Sequence, residues 1–175
     1  MYDGSTPFSA IVRDAKQRGY TEPDPRDDLS GTDVARKLII LGREMGLKLE
    51  LKDVQVESLV PGDLAGGSIE DFLGQLPRYD DAMRERYQAA RSRGNVLRYV
   101  GRVTSGGLAT VGLMELEARH AFANIALTDN VVRFATARYN NNPLIVQGPG
   151  AGPEVTAAGV FGDLLRLATF LGARL

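Results

Sequence analysis

Two apolar runs, residues 95–104 and 108–117, are separated only by Ser105-Gly106-Gly107. A connection that short cannot carry a crossover, so the two runs pair as an antiparallel hairpin. An isolated hairpin is marginal in water and needs more strands, or a helix, against its apolar face. The chain supplies candidates for both. Residues 47–60 alternate in part, through Leu47, Leu49, Leu51, Val54 and Val56, as one or two short strands do. Residues 131–139 and 144–146 read as further strands joined by Asn140-Asn141-Asn142-Pro143. The second of these is short and apolar on both faces, which predicts a central place in a sheet.

Helical spacing frames these strands. Thr6-Pro7 reads as a capping hydroxyl before a first-turn proline, and Phe8, Ile11, Val12 and Ala15 follow at helical intervals up to a stop at Gly19. Thr32 is the expected cap of a second helix, with Asp33 in its first turn and Val34, Leu38 and Leu41 on its apolar face, ending at Gly46. Ser68 caps a third, interrupted at Pro77, and a charged helix runs on to Gly94 with Met83, Tyr87 and Ala90 inward. A last helix extends from Pro153 to about Leu171, with Val155, Ala158, Phe161, Leu165 and Ala168 along one side. The expectation is one α+β domain over residues 1–175: a mixed sheet of about five or more strands with helices packed on one face.

Composition narrows the chemistry. With no Cys and a single His, His120, thiolate nucleophiles, Cys-ligated zinc and multi-His metal sites are excluded. A net charge of −1 with scattered Lys and Arg offers no footprint for nucleic acid or an anionic membrane. No apolar run is long enough to span a bilayer, and the first residues lack the basic and apolar stretches of a signal peptide. A cytoplasmic setting is expected. His120, without a partner His or Cys, reads as structural.

Functional groups are densest in residues 22–37. Asp33 and Lys37, four residues apart on a predicted helix, share one face. Just upstream, Glu22 and Asp28 lie on a polar segment, residues 20–31, where Pro23 and Pro25 predict an irregular, stiff path without regular helix. Five acids (Glu22, Asp24, Asp27, Asp28, Asp33) face three bases (Arg26, Arg36, Lys37). That excess suits a cationic ligand group such as an ammonium, although a solvated salt-bridge cluster accounts for the same pattern. A second candidate is Gly148-Pro149-Gly150-Ala151-Gly152, opening the last helix. Its glycines suit either a tight strand-to-helix turn or close approach of an anion, and it matches neither the dinucleotide fingerprint nor a P-loop.

The stretch Gly19-Tyr20-Thr21-Glu22-Pro23-Asp24-Pro25-Arg26-Asp27-Asp28-Leu29-Ser30-Gly31, followed by Asp33-Val34-Ala35-Arg36-Lys37, resembles the signature of homoserine dehydrogenases. So does the ending, residues 148–152 followed by Val155-Thr156-Ala157-Ala158-Gly159-Val160-Phe161-Gly162-Asp163-Leu164-Leu165. Val96-Leu97-Arg98-Tyr99-Val100-Gly101 is most similar to the dehydrogenase part of bifunctional aspartate kinase–homoserine dehydrogenases.

The resemblance implies an NADP- or NAD-dependent oxidoreductase interconverting L-aspartate 4-semialdehyde and L-homoserine in threonine, methionine and isoleucine biosynthesis. It implies Lys37 as proton donor and acceptor on the substrate oxygen, and Glu22 and Asp33 as ligands of the amino acid part. Asp28 and the backbone at Gly19 and Tyr20 lie nearby, and Gly148, Gly150 and Gly152 approach the cofactor. It also implies a homodimer built through the sheet. The family's dinucleotide-binding domain precedes this region, and no Rossmann fingerprint occurs here, so the chain reads as an N-terminally truncated catalytic and dimerisation region, inactive alone. The family's metal-binding segment falls in the part that is missing, and no metal site is claimed. A non-catalytic dimerisation module derived from such an enzyme is the alternative.

Overall fold

The computed structural model describes residues 4–125, 129–150 and 153–173, which divide into two compact units, Met1–Ala118 and Arg119–Leu175. The first begins with α1 (Phe8–Gln17), α2 (Pro25–Leu29) and α3 (Thr32–Glu44), followed by β1 (Val54–Val56), α4 (Ile69–Gln75) and α5 (Asp80–Ser92). The hairpin closes it as β2 (Asn95–Val103) and β3 (Ala109–Glu117). These strands form a mixed sheet in the order β1-β3-β2, with β1 parallel and β2 antiparallel to β3.

Register decides which residues meet α3. Gly101 lies opposite Val111, Val103 opposite Ala109, and Val54 also opposite Ala109, so these share one face of the pleat. Ala35, Leu38 and Ile39 of α3 pack there with Leu49, Val54, Ala109 and Val111 in one core, flanked by Val34, Leu47, Tyr99 and Val103. The opposite face carries Val96, Arg98, Val100, Arg102, Thr110, Met114 and Leu116, none of them fully buried. A second core joins α1 and α4 to the short 3₁₀ segments Gly62–Leu64 and Leu76–Tyr79 through Val12, Leu64, Phe72 and Leu76. As expected, Ser68 caps α4 by accepting from the Asp71 amide, and Ala90 is the buried residue of α5.

Three local expectations shift. Pro7 is itself the N-cap of α1, so Thr6 is not the cap. Residues 20–31 are not free of helix: Asp24 caps α2 and Pro25 takes the first helical position, where its missing N–H has no partner to lose. Gly31, at φ 76°, is the N-cap of α3 in place of Thr32. Of the one or two short strands expected in residues 47–60, one forms, Val54–Val56, preceded by a 3₁₀ turn at Leu51–Asp53.

The second unit holds β4 (Asp129–Phe134), β5 (Leu144–Pro149) and α6 (Pro153–Phe170). The five strands among the described residues therefore lie in two sheets, of three and two strands. β5 pairs only with β4 among the described residues, and Leu144, Ile145 and Val146 are exposed, so the central position expected of it does not hold among those residues. β4 stops at Phe134, short of the expected 139. No residue of α6 is buried; Val160, Leu164 and Leu167 are exposed beside the expected stripe, so its apolar surface runs around the helix. Such a surface suits a helix that is covered by other protein. His120 accepts from the Phe122 amide through Nδ1 and meets the Phe122 ring edge-on, which is a structural role. No described helix is long and apolar enough to cross a membrane.

Candidate active site

α3 presents Asp33 and Lys37 one turn apart on its outer face, and Lys37 Nζ lies 2.8 Å from Asp33 Oδ2. Both side chains are 65% exposed, so the pair is solvated and weakly held. The next turn of the same face is apolar yet exposed: Ile40, Leu41 and Met45. Upstream, Asp28 on α2 accepts from the Glu22 amide at 2.9 Å, which ties the two acids of the loop together. Gly19 and Tyr20 close α1 through amides bonded to the carbonyls of Lys16 and Ala15, and the Tyr20 side chain stands in solvent. Lys16 reaches forward to the Pro23 carbonyl. The expected site residues thus occur as two pairs, Glu22 with Asp28 and Asp33 with Lys37, linked by the Ser30-Gly31 turn.

Two concavities of this unit lie elsewhere. One, of about 440 Å³, is lined by Glu57, Ser58, Asp63, Tyr79 and Arg86 among others. The other, of about 410 Å³, lies on the sheet against Gln55, Val100, Arg102 and Met114. Neither is lined by Glu22, Asp28, Asp33 or Lys37.

Two sets of supporting contacts escaped the sequence reading. Arg26 grips Asp24, and the Arg26 hydrogen bond holds that carboxyl below the usual carboxylate range. Glu57 accepts from the Leu113 amide at 3.1 Å and pairs with Arg86, while its backbone oxygen accepts from the Tyr99 hydroxyl at 2.7 Å. The Arg86 hydrogen bond depresses the Glu57 pKa against the opposing effect of burial; burial, then the Glu57 charge, raises that of Tyr99. Residues 57, 86, 99 and 113 are far apart in the chain, so no local pattern announces their meeting.

Comparison with known proteins decides what this arrangement belongs to. The profile of the homoserine dehydrogenase family matches residues 1–165. The chain belongs to the homoserine dehydrogenase family. It is 55% identical over 174 residues to the bifunctional aspartokinase/homoserine dehydrogenase, chloroplastic, of Daucus carota, covering 98% of this chain and 19% of that protein. It is 46% identical over 167 residues to the homoserine dehydrogenase of Schizosaccharomyces pombe, covering 94% of this chain and 44% of that protein. A crystal structure of a Candida auris protein of unknown function superposes with a TM-score of 0.89 at 44% identity, over 94% of this chain and 47% of the other. The chain therefore spans less than half the length of these relatives.

Homoserine dehydrogenases use NAD or NADP, and the glycine turn is the stretch expected to approach that cofactor. A Cβ at Gly148 would meet open space, whereas one at Gly150 would lie 2.6 Å from Asn130 Cγ and overlap the amide nitrogen beyond it. Packing against Asn130 is sufficient reason for glycine at 150. Gly152 lies outside the described residues. Of the two described glycines of the turn, Gly148 is open to approach and Gly150 is accounted for by packing.

Proposed function

We propose that this chain provides the substrate side of a homoserine dehydrogenase, interconverting L-aspartate 4-semialdehyde and L-homoserine. The observation that carries the proposal is the Asp33–Lys37 pair on α3, downstream of the Glu22–Asp28 pair, within a family match over nearly the whole chain. In this reading Glu22, Asp33 and Asp28 hold the substrate ammonium, with the Gly19 and Tyr20 backbone alongside. Lys37 gives a proton to the oxygen as the aldehyde is reduced, and takes it back in the reverse reaction. Aldehyde reduction needs a proton donor at this position, and the reverse reaction a proton acceptor. The reduced cofactor, NADPH or NADH, when bound, would supply the hydride for aldehyde reduction, and its oxidised form would accept it in reverse; its main contacts are assigned to the length of the relatives that this chain does not span, with the turn at Gly148, Gly150 and Gly152 approaching it.

The exposure of Lys37 fits this division. Ile40 and Leu41 extend its face as apolar surface, and covering that face would exclude water from around the ammonium and strengthen its interactions with substrate. Cytoplasmic location and a homodimer formed through the sheet are part of the proposal; a clean monomer in concentrated sedimentation runs would remove the dimer. The rival reading is a non-catalytic dimerisation module, which would have no need of Lys37.

One experiment separates them. In the full-length enzyme containing this chain, Lys37→Ala should lower kcat by roughly 10²–10⁴, the usual contribution of a positioned acid–base group. A loss below about tenfold would return Lys37 to a surface ion pair. The chain alone should bind neither NADPH nor NADH tightly in calorimetric titration, because too few contacts remain to order a long flexible ligand.

A further inference from the structure

α2 is only five residues long, far too short to persist by its own hydrogen bonds, yet it carries Asp28. Something outside it must fix its position. Its first turn is capped by Asp24, whose Oδ1 accepts from the Arg26 amide at 2.9 Å, and the Ser30 amide closes onto the Arg26 carbonyl at 2.8 Å. The tertiary anchor is the Arg26 side chain, 14% exposed. Its Nε lies 3.0 Å from both Asp24 oxygens and its Nη2 2.6 Å from Oδ2. Its Nη1 points into three backbone carbonyls, those of Ala65 at 3.4 Å, Gly66 at 3.0 Å and Gly67 at 3.2 Å. The guanidinium also sits over the ring of Phe72, 5.6 Å from its centroid, in the middle of the second core. A planar fork that spans a carboxylate, three carbonyls and a ring face at once is something a lysine cannot reproduce.

Position then passes outward along the chain. Asp28 lies two residues beyond Arg26 on the same short helix, and its carboxylate orders the Glu22 amide. We infer that Arg26 is a positioning residue for the substrate's ammonium group: it sets where Asp28 and Glu22 stand while touching no substrate itself. The inference rests on the proposed function for the ligand, and on the geometry alone for the clamp.

The test has two readouts. By hydrogen exchange on this chain, Arg26→Lys should speed the amides of residues 22–30 by about tenfold while those of β2 and β3 keep their rates. In the full-length enzyme the same variant should lower kcat/KM for homoserine by roughly 10- to 100-fold, chiefly through KM, with the KM for the nicotinamide cofactor and the pH profile unmoved. Asp24→Asn retains a capping oxygen but lacks the charge that Arg26 grips, so it should act in the same direction and decides the matter if Arg26→Lys does not fold. A uniform rise in exchange, or unchanged exchange over residues 22–30, overturns the clamp. Local loosening with an unaltered homoserine KM overturns the positioning role and leaves Arg26 a fold anchor. An unsubstituted enzyme that does not oxidise homoserine overturns the functional reading instead.

Discussion

Gly31→Ala is the sharpest test of how the candidate site is joined to the sheet. Gly31 is buried, stands at φ 76°, and turns the chain from α2 into α3. An L-residue held in that left-handed region costs about 1–2 kcal/mol. The added Cβ would lie 3.0 Å from Tyr99 Cζ and 3.0 Å from Val56 Cγ1, and would overlap the Tyr99 hydroxyl. Overpacking of this kind costs about 1–3 kcal/mol. Tyr99 cannot retreat freely, because its hydroxyl donates to the Glu57 carbonyl at 2.7 Å, a bond worth about 0.5–1.5 kcal/mol. The expected loss is roughly 3–6 kcal/mol, a large part of the ~5–15 kcal/mol available to a domain. Urea unfolding of the chain measures it as a shift in midpoint at constant m-value. Repeating the substitution in a Tyr99→Phe background removes the hydroxyl, and the cost of Gly31→Ala should then fall by about 1–3 kcal/mol. Equal costs in the two backgrounds would refute the Tyr99 hydroxyl contact as a cause and leave the backbone term and the remaining close contacts, Val56 among them.

Glu57 has a depressed folded-state pKa because Arg86 hydrogen-bonds its carboxylate, so it stabilises the fold above the unfolded carboxylate pKa of ~4.3 and loses that contribution as pH falls through the lower folded value. Acid should therefore lower the urea midpoint, and Glu57→Gln should flatten the slope, with Asp24 and Glu115, whose carboxyl pKa is likewise lowered by the Arg93 hydrogen bond, supplying what is left; an unchanged slope would show that Glu57 is not a source. Phe72 is 1% exposed in the second core, so Phe72→Ala should cost about 3–5 kcal/mol in the same assay, and a loss under about 1 kcal/mol would mean that this core does not hold the unit together.

Much of this protein follows from local sequence. The three-residue link at 105–107 leaves β2 and β3 no arrangement but an antiparallel hairpin, because so few residues cannot cross a sheet. The Ser68 cap, the inward Ala90 of α5 and the one-turn spacing of Asp33 and Lys37 are likewise matters of short-range geometry. The likeness of residues 19–37 to homoserine dehydrogenases was readable from residue order alone.

Local chemistry also left near-equivalent choices. Pro25 forbids a helix interior yet is well suited to a helix start, and tertiary anchoring of Arg26 on the 65–67 carbonyls selects the second. Thr32 and Gly31 both make good caps, and the packing of Tyr99 against position 31 favours glycine there. The apolar run at 144–146 predicts burial, but burial depends on what lies beside a strand, and among the described residues only β4 pairs with it. Only the folded chain brings Glu57 to Arg86, Tyr99 and the Leu113 amide, or Arg26 to Phe72. Their residue types fit many surfaces equally well, and their partners are chosen when helices and strands distant in sequence pack together, a non-local outcome that no periodicity along the chain encodes.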